Sequence, residues 1–290
     1  MLSRKLYFIF TTGAIIIALI VVLFLPRTSN WVSIFIVPFI LALALSYVFS
    51  PQIDWWWYQK HPPELSGSLG NLLLQHFKFY KNLSVENKKR FRHRTAMYME
   101  ARGFYARRGN EDGNVPLDIK TMISANVVMM TFGRKDFILD KFERVFVYLQ
   151  AFHSPNHKYW HASELNEEDE CFLFSGEHIM LSFRQPEKYY NVILHEYARA
   201  FQLTYPQFDY PNFDESMWSG FGKEAIAKYT GIPEEEINLL GVSVNFFFNY
   251  PEKFKKLMPK GYEQYTSIFN LNPLDARDPV VDKSIVAGIP

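Results

Sequence analysis

Two uncharged segments near the start of the chain restrict its architecture more than any other feature. Residues 6–25 and 31–50 are each twenty residues long and carry no charged side chain, and a short turn, residues 26–30, separates them. As a helix rising 1.5 Å per residue, each segment can cross the ~30 Å hydrocarbon core of a bilayer. We therefore expect residues 1–50 to form a transmembrane helical hairpin in contact with membrane lipid.

The flanking charges predict which side of the membrane the rest of the chain faces. Arg4 and Lys5 precede the first segment, whereas the turn carries only Arg27. Since positive charge stays inside, the expectation is an integral protein of a bacterial inner membrane with its domain in the cytoplasm. The single cysteine, Cys171, excludes an internal disulfide framework and agrees with a reducing compartment. A cleaved signal peptide is the alternative for the first segment, but no small-residue cleavage site follows Pro26.

Composition and periodicity predict one mixed domain after the hairpin. The 290 residues are 48% hydrophobic and carry 31 basic and 30 acidic side chains, as expected for a globular domain with an anchor. We expect a linker over 51–70, a domain over 71–275 and a tail over 276–290. Spacing of apolar residues predicts an α+β domain, mainly helical with a small sheet. The predicted helices are 84–103, 117–132, 186–203, 217–229, 234–248 and 261–269, and the predicted strands are 144–149, 171–174 and 178–183.

The first of these helices is strongly basic. Residues 88–94 hold six basic or titratable side chains out of seven, and Ser84 is placed to cap the helix. A solvated helix face is the ordinary interpretation of such a run, and binding to anionic lipid is the alternative beside a membrane. Nucleic acid is not favoured as a partner, because the net charge of the chain is only +1.

The sequence His195-Glu196-Tyr-Ala-Arg199 lies in the predicted helix 186–203. In the motif H-E-x-x-H, two histidines four residues apart bind Zn²⁺ on one helix face, and the glutamate activates the metal-bound water. Arg199 has no lone pair to donate and stays protonated, so it cannot act as the second ligand. It can instead place its guanidinium where the metal would lie and pair with Glu196; a plain exposed ion pair is the alternative.

Several stretches of the chain are similar to one peptidase family. The stretches 176–183 and 189–198 resemble the corresponding block of the glucose-regulated zinc metallopeptidases, the Mlc titration factor A family, whose helix contains Y-N-V-V-I-H-E-F-A-H. Residues 141–148, 246–254 and 272–273 are similar to three further family segments, so the resemblance covers about residues 60–275. It implies a zincin-like, gluzincin-type metallopeptidase fold.

The resemblance assigns family roles to individual residues. His195 falls on the first zinc ligand, Glu196 on the general base and Arg199 on the second ligand. Counting back without gaps from Phe247 puts Asn238 and Asn245 on the two carboxylates of the family's downstream helix, which supplies the third ligand.

Neither of these downstream positions is acidic in this chain. A two-residue shift offers Glu235 as a substitute ligand, but two residues rotate a helix by about 200°. Zinc, the family's cofactor, is therefore expected to be absent or weakly bound.

Two other segments are candidates for the site. The family aligns its substrate on an edge strand beside the motif helix, and Ile179, Met180, Leu181, Ser182 and Phe183 are the expected strand. A cluster of His153, His157 and His161 has metal-ligand spacing on a helix, but Pro155 favours an ordinary loop with solvent-facing histidines.

Three functions remain open from the sequence. The first is a membrane-anchored pseudopeptidase that binds or regulates a protein or peptide partner. The second is an active, aminopeptidase-like zinc enzyme that uses His195, one of residues 234–236 and a histidine from 153–161. In the third, the hairpin carries the function and the domain is an accessory. The missing ligands favour the first, because a fold does not guarantee its ancestral chemistry.

Overall fold

The computed structural model describes residues 9, 11–13, 40–42, 44–45, 47–108, 111–139, 141–213 and 222–286. Contacts divide the chain into two compact units, and the boundary falls between Pro62 and Pro63. Within the described residues, no helix combines the length and the apolar character needed to cross a bilayer. The predicted hairpin segments, 6–25 and 31–50, lie mostly outside these residues.

The first unit contains helix α1, Ser50–Lys60. Pro51 lies in its first turn, where a proline removes no helical hydrogen bond. The ammonium of Lys60 lies 4.0 Å from the centroid of the Trp56 ring, and Trp57 stacks on His61 with a centroid distance of 3.9 Å. Residues 51–60 are thus helical where the composition predicts an irregular linker.

The second unit is built around a five-stranded mixed sheet. The central strands run parallel, and an antiparallel strand lies at each edge, in the order β2-β1-β3-β5-β4. The strands are β1 Gly103–Arg108, β2 Glu111–Asn114, β3 Arg144–Tyr148, β4 Ser163–Asn166 and β5 Cys171–Ser175. The strands predicted at 144–149 and 171–174 are confirmed. Strands β1, β2 and β4 were not predicted from the sequence, because they are short and rich in charged or polar residues.

Helices make up most of the rest of this unit, which confirms the α+β class. They are α2 Gly67–His76, α3 Lys78–Asn82, α4 Val85–Ala101, α5 Leu117–Met130, α6 Gly176–Arg184, α7 Val192–Thr204, α8 Lys223–Thr230, α9 Leu239–Asn249, α10 Pro251–Leu257 and α11 Pro259–Phe269. Short 3-10 helices cover Glu234–Glu236 and Lys283–Ile285. Of the helix predicted at 217–229, residues 217–221 lie outside the described residues.

The motif helix, α7, is packed between the sheet and other helices. On the sheet side, the Tyr197 ring stacks on Phe172 with a centroid distance of 4.0 Å, and its hydroxyl shares a 2.8 Å hydrogen bond with that of Tyr98. At the start of α7, Asn191 donates to Oδ1 of Asn126 on α5 at 2.7 Å. Its carbonyl accepts from Asn245 on α9, also at 2.7 Å. These bonds hold the first turn of α7 against α5 and α9.

The basic helix α4 is only partly a solvated face. Ser84 caps it as predicted, with its hydroxyl accepting from the amide of Asn87. Arg94, however, is completely buried, and its Nη1 donates to the carbonyls of Thr131 and Phe132 at 3.3 and 3.0 Å. These carbonyls belong to the two residues after Met130, where α5 ends and the helix dipole is negative. Phe132 also accepts from Arg90, and Thr131 accepts from the amide of Arg134. The interpretation of residues 88–94 as a solvated run is therefore wrong for Arg94, which closes a helix end.

Candidate functional site

The motif helix begins later than the sequence pattern predicts. Pro186 was the expected start, but the helix starts at Val192, because Asn191 caps it: Oδ1 of Asn191 accepts from the amides of Ile193 and Leu194, both at 3.1 Å. His195 and Glu196 follow within the first two turns and are buried. The cap therefore fixes where both motif side chains lie in the helix.

Both oxygens of the Glu196 carboxylate have partners. Nη1 of Arg199 donates to Oε2 at 2.9 Å, and the hydroxyl of Ser163 on β4 donates to Oε1 at 2.8 Å. The predicted pairing of Arg199 with Glu196 is confirmed. The alternative of a plain surface pair is wrong, since the Glu196 side chain is 1% exposed and that of Arg199 is 29% exposed. The guanidinium thus neutralises a buried carboxylate in the position where the motif would activate water.

His195 is held from its Nδ1 side. Nδ1 lies 2.7 Å from the hydroxyl of Tyr190, and a Cβ added to Gly241 of α9 would lie only 2.5 Å from the same nitrogen. Gly241 is therefore needed for the close approach of α9 to the ring. Burial lowers the pKa of His195, the nearby Glu196 charge opposes this shift, and Arg199 adds to it. At neutral pH the imidazole is neutral.

The segment 153–161, called here the histidine loop, contributes two of its three imidazoles to the site. His157 and His161 line the same pocket as His195, whereas His153 packs its ring on Trp160 with a centroid distance of 3.9 Å and does not line it. The expectation of an ordinary loop is confirmed for the backbone, which is not helical. Solvent-facing side chains were also expected, and that is wrong for His161, which is 1% exposed.

His161 forms a buried pair with Glu164 of β4. Its Nε2 lies 3.2 Å from Oε2 of Glu164, and Asn156 donates to Oε1 at 2.9 Å. Burial acts to raise the pKa of Glu164, but hydrogen bonds from His161, Ser154 and Asn156 outweigh it and lower the pKa to about 2. Glu164 is therefore ionised at neutral pH. No motif in the sequence singles out this glutamate.

One pocket gathers these groups. Its lining comes from the histidine loop, β4, α7 and the segment before α9: His157, Tyr159, His161, Ser163, Glu164, His195, Glu196, Arg199, Ile232, Glu236 and Asn238. Tyr159 donates its hydroxyl to Glu236, and Nδ1 of His157 lies 3.6 Å from the same carboxylate. The hydroxyl pKa of Tyr159 is raised by burial and by this bond to a carboxylate, so the hydroxyl stays a donor.

The three downstream residues considered as ligands, Asn238, Asn245 and Glu235, lie in different places. Asn238 lines the pocket and caps α9, accepting from the amide of Gly241 at 2.9 Å, so the helix starts at Leu239 and not at the predicted Glu234. Asn245 is buried against Asn191 and does not line the pocket. Glu235 is exposed on the 3-10 helix, and its neighbour Glu236 lines the pocket instead. Asn238, which ungapped counting assigns to a family carboxylate, therefore lines the same pocket as His195. It carries an amide in place of that carboxylate.

The expected substrate strand is wrong. Ile179, Met180, Leu181, Ser182 and Phe183 belong to helix α6. Ser175 caps this helix, and the buried Ile179 and Phe183 are four residues apart, which is helical spacing. The edge strand that packs beside α7 is β4, Ser163–Asn166. It ends at the acidic turn 167–170, and that turn was the signal in the sequence that could have located it.

The residues present do not fit a three-ligand zinc site. Catalytic zinc takes three protein ligands and a water. The described residues contain no group of three or more histidine, cysteine, aspartate or glutamate side chains arranged to hold a metal ion. Arg199 places a cation against Glu196, and Asn238 offers an amide, which is a weak zinc donor. His195 alone has both the chemistry and the position of a family ligand.

Comparison with known proteins gives one match. The family model of the glucose-regulated metallo-peptidase M90 matches residues 54–210, which is more than half of the chain and includes His195, Glu196 and Arg199. A search of curated proteins found no match. The matched range ends before α9, so it does not include Asn238.

Proposed function

Because the chain belongs to the glucose-regulated metallo-peptidase M90 family, a family of zinc peptidases, we propose that it is a pseudopeptidase. It keeps the peptidase domain and the pocket beside the motif helix, but not zinc-dependent hydrolysis. Its function is to bind an extended segment of a protein or peptide partner and so to regulate that partner.

The observation that carries this proposal is the ion pair between Arg199 and Glu196 at 2.9 Å. In this motif the glutamate acts as a general base on a water that a metal ion holds against it. In this pocket, one carboxylate oxygen accepts from Arg199 and the other from Ser163. Since Glu196 is buried, its charge has to be neutralised, and the arginine does what a bound dication would otherwise do.

The binding role rests on the edge strand. β4 pairs with β5 on one side, its Ser163 bonds to Glu196 of α7, and both Ser163 and Glu164 line the pocket. An edge strand offers unpaired backbone groups to an extended peptide, and an adjacent pocket gives side-chain specificity. The missing third ligand does not affect this mode of recognition.

The test is a zinc and peptidase measurement on the full-length chain in a non-ionic detergent. After exposure to zinc and desalting, we expect much less than one zinc per chain by elemental analysis. We also expect no peptide cleavage above that of the Glu196→Gln variant. About one zinc per chain with cleavage that Glu196→Gln abolishes would overturn the proposal.

A second candidate is an active enzyme with a different ligand set. One observation favours it: His157, His161 and Glu236 line the same pocket as His195. Variants His157→Ala and His161→Ala separate the two candidates. If the protein does bind zinc and either substitution removes it, the rebuilt site is correct; if zinc is absent from all three proteins, the pseudopeptidase is.

Arg199→His adds a complementary test. If the arginine were the only obstacle, this substitution would complete H-E-x-x-H and the protein would take up zinc tightly. We expect poor uptake, because Asn238 cannot supply the third ligand. Arg199→His combined with Asn238→Glu is the matched positive control, and zinc content is the readout.

We also propose that residues 1–50 anchor the protein in a membrane with the domain on the cytoplasmic side. The support is the charge-free composition of 6–25 and 31–50. Retention in the membrane fraction after alkaline extraction is the expected result, and release of the chain into the soluble fraction would contradict it.

A further inference from the structure

Two acidic runs lie beside the pocket. Residues 167–170 form the turn that joins β4 to β5, and Glu234–Glu236 form the 3-10 helix before α9. All seven residues carry a carboxylate, and all are exposed. A solvated surface is the usual explanation of such runs, so their positions relative to the pocket decide whether they matter.

Both runs contact pocket residues directly. From the first, Oε1 of Glu167 lies 3.7 Å from Nη2 of Arg199. From the second, Glu236 is part of the lining and accepts from Tyr159. A ligand that enters the pocket therefore passes carboxylates contributed by two separate loops.

The pocket interior does not offset this charge. Its lining contains Glu164, Glu196 and Glu236 but one arginine, Arg199, whose guanidinium is directed to Glu196 and Glu167. The carboxylates of the lining therefore outnumber its guanidinium by three to one. A low-dielectric pocket lined by one sign of charge attracts ligands of the opposite sign and repels others.

An aromatic side chain on the histidine loop fits the same class of ligand. Trp160 lies between the pocket residues Tyr159 and His161 in the sequence; it does not line the pocket itself, packs on His153 and is 61% exposed. An exposed indole face attracts ammonium and guanidinium groups.

We propose that the segment this site binds is a lysine- and arginine-rich extended peptide, laid along β4 with one basic side chain in the pocket. The inference rests on the proposed peptide-binding function and adds the chemistry of the ligand. The pocket and β4 define the site, and the two acidic runs set the charge it selects.

The experiment uses full-length protein in a non-ionic detergent and three fluorescent ten-residue peptides of equal length. One is rich in lysine and arginine, one in serine and glycine, and one in aspartate and glutamate. Each carries a benzoylphenylalanine, so that ultraviolet light cross-links it to its site for mass spectrometry. We expect the basic peptide to bind at least about tenfold more tightly than the other two, and its affinity to fall with added salt.

Charge-matched variants test the cause. The quadruple variant Glu168→Gln, Glu170→Gln, Glu234→Gln, Glu235→Gln removes four exposed carboxylates from the two runs. The control removes four exposed carboxylates elsewhere, by Glu86→Gln, Glu100→Gln, Glu252→Gln and Glu263→Gln. We expect the first variant to lose about tenfold in affinity for the basic peptide and the control to lose less than about twofold.

The outcomes separate the two proposals. Preference for the basic peptide, cross-links within 157–170 or 232–238, and loss in the first variant alone support the inference. Equal binding of all three peptides with those cross-links keeps the peptide-binding function and overturns the preference for basic segments. Binding weakened equally by both quadruple variants overturns the preference too, because net charge alone then explains it. No binding of any peptide overturns both proposals.

Discussion

Two arginines in this domain meet buried acceptors in different ways. Arg94 is completely buried at the end of α5 and donates to the carbonyls of Thr131 and Phe132. Arg199 is partly exposed in the pocket and pairs with the carboxylate of Glu196. The first closes a helix end and has no route to solvent or ligand. The second lies in a cavity that a ligand can enter, so an arginine's role depends on its acceptor and its access, and not on its charge.

The largest effect is expected at the helix end. Arg94→Ala removes one donor from each of the carbonyls of Thr131 and Phe132, which keep the amide of Arg134 and Nη2 of Arg90 as partners. It also empties a completely buried site and removes packing against Phe137, whose ring centroid lies 4.7 Å from the guanidinium carbon. We expect the free energy of unfolding to fall by about 3–5 kcal/mol in chemical denaturation. Arg94→Met retains the packing volume and should lose less. A loss below about 1 kcal/mol for Arg94→Ala would contradict the structural role.

The buried pair of Glu164 and His161 makes the stability of the domain depend on pH. The pKa of Glu164 is lowered from 4.5 to about 2, so the folded state binds the proton less readily than the unfolded chain does. The resulting stability is present above the unfolded pKa and is lost as pH falls from about 4.5 towards 2. At about 1.4 kcal/mol per pKa unit, the loss amounts to up to about 3 kcal/mol.

Unfolding by urea at pH 6 and pH 3 measures this loss. Glu164→Gln should be less stable than the parent at pH 6 and should lose less of its stability between the two pH values. Glu263→Gln, at an exposed position, is the matched control and should follow the parent. An equal pH dependence in Glu164→Gln and the parent would show that Glu164 does not titrate as described.

A moderate effect is expected from Arg199→Ala. It leaves the Glu196 carboxylate buried with Ser163 as its partner, which should cost about 1–3 kcal/mol, because Arg199 is itself partly exposed. Adding Glu196→Gln should recover most of the loss by removing the unpaired charge. If the double variant is no more stable than Arg199→Ala, the ion pair does not explain why the arginine is there.

The smallest effect is expected at His153. Its ring packs on Trp160 outside the pocket lining and is exposed. His153→Ala should change the free energy of unfolding by less than about 0.5 kcal/mol. His161→Ala, eight residues along the same loop, should cost several times more by the same measurement. Equal losses of unfolding free energy in the two variants would mean that burial does not determine how much each histidine stabilises the fold.

The sequence predicted what depends on short-range patterns. The Ser84 cap, strands β3 and β5, and the pairing of Arg199 with Glu196 follow from local spacing. Strand β4 does not, because four residues with three polar side chains become a strand only by pairing with β5. The same limit explains the error at 179–183, since an apolar run of that length fits a buried strand or a helix.

The site was predictable only where it lies on α7. Glu164 and Glu236 line the pocket, and Gly241 lies against the ring of His195, through contacts between elements far apart in the chain. Tyr190 is only five residues from His195, but its contact with Nδ1 crosses the cap of α7, where no helical spacing predicts it. The burial of Arg94 was hidden for a similar reason. Its acceptors are 37 and 38 residues further along the chain, so a helical pattern shows six basic or titratable residues and not which one turns inwards.

The contact of Gly241 with the imidazole of His195 sets how this site can change during evolution or engineering. A β-carbon on Gly241 would lie 2.5 Å from Nδ1, so α9 cannot slide by a residue or rotate without placing a larger side chain against the ring. The register of α9 is therefore locked to the motif helix. A carboxylate can return to the pocket by substitution at Asn238, but an existing upstream glutamate cannot be moved there by shifting the helix.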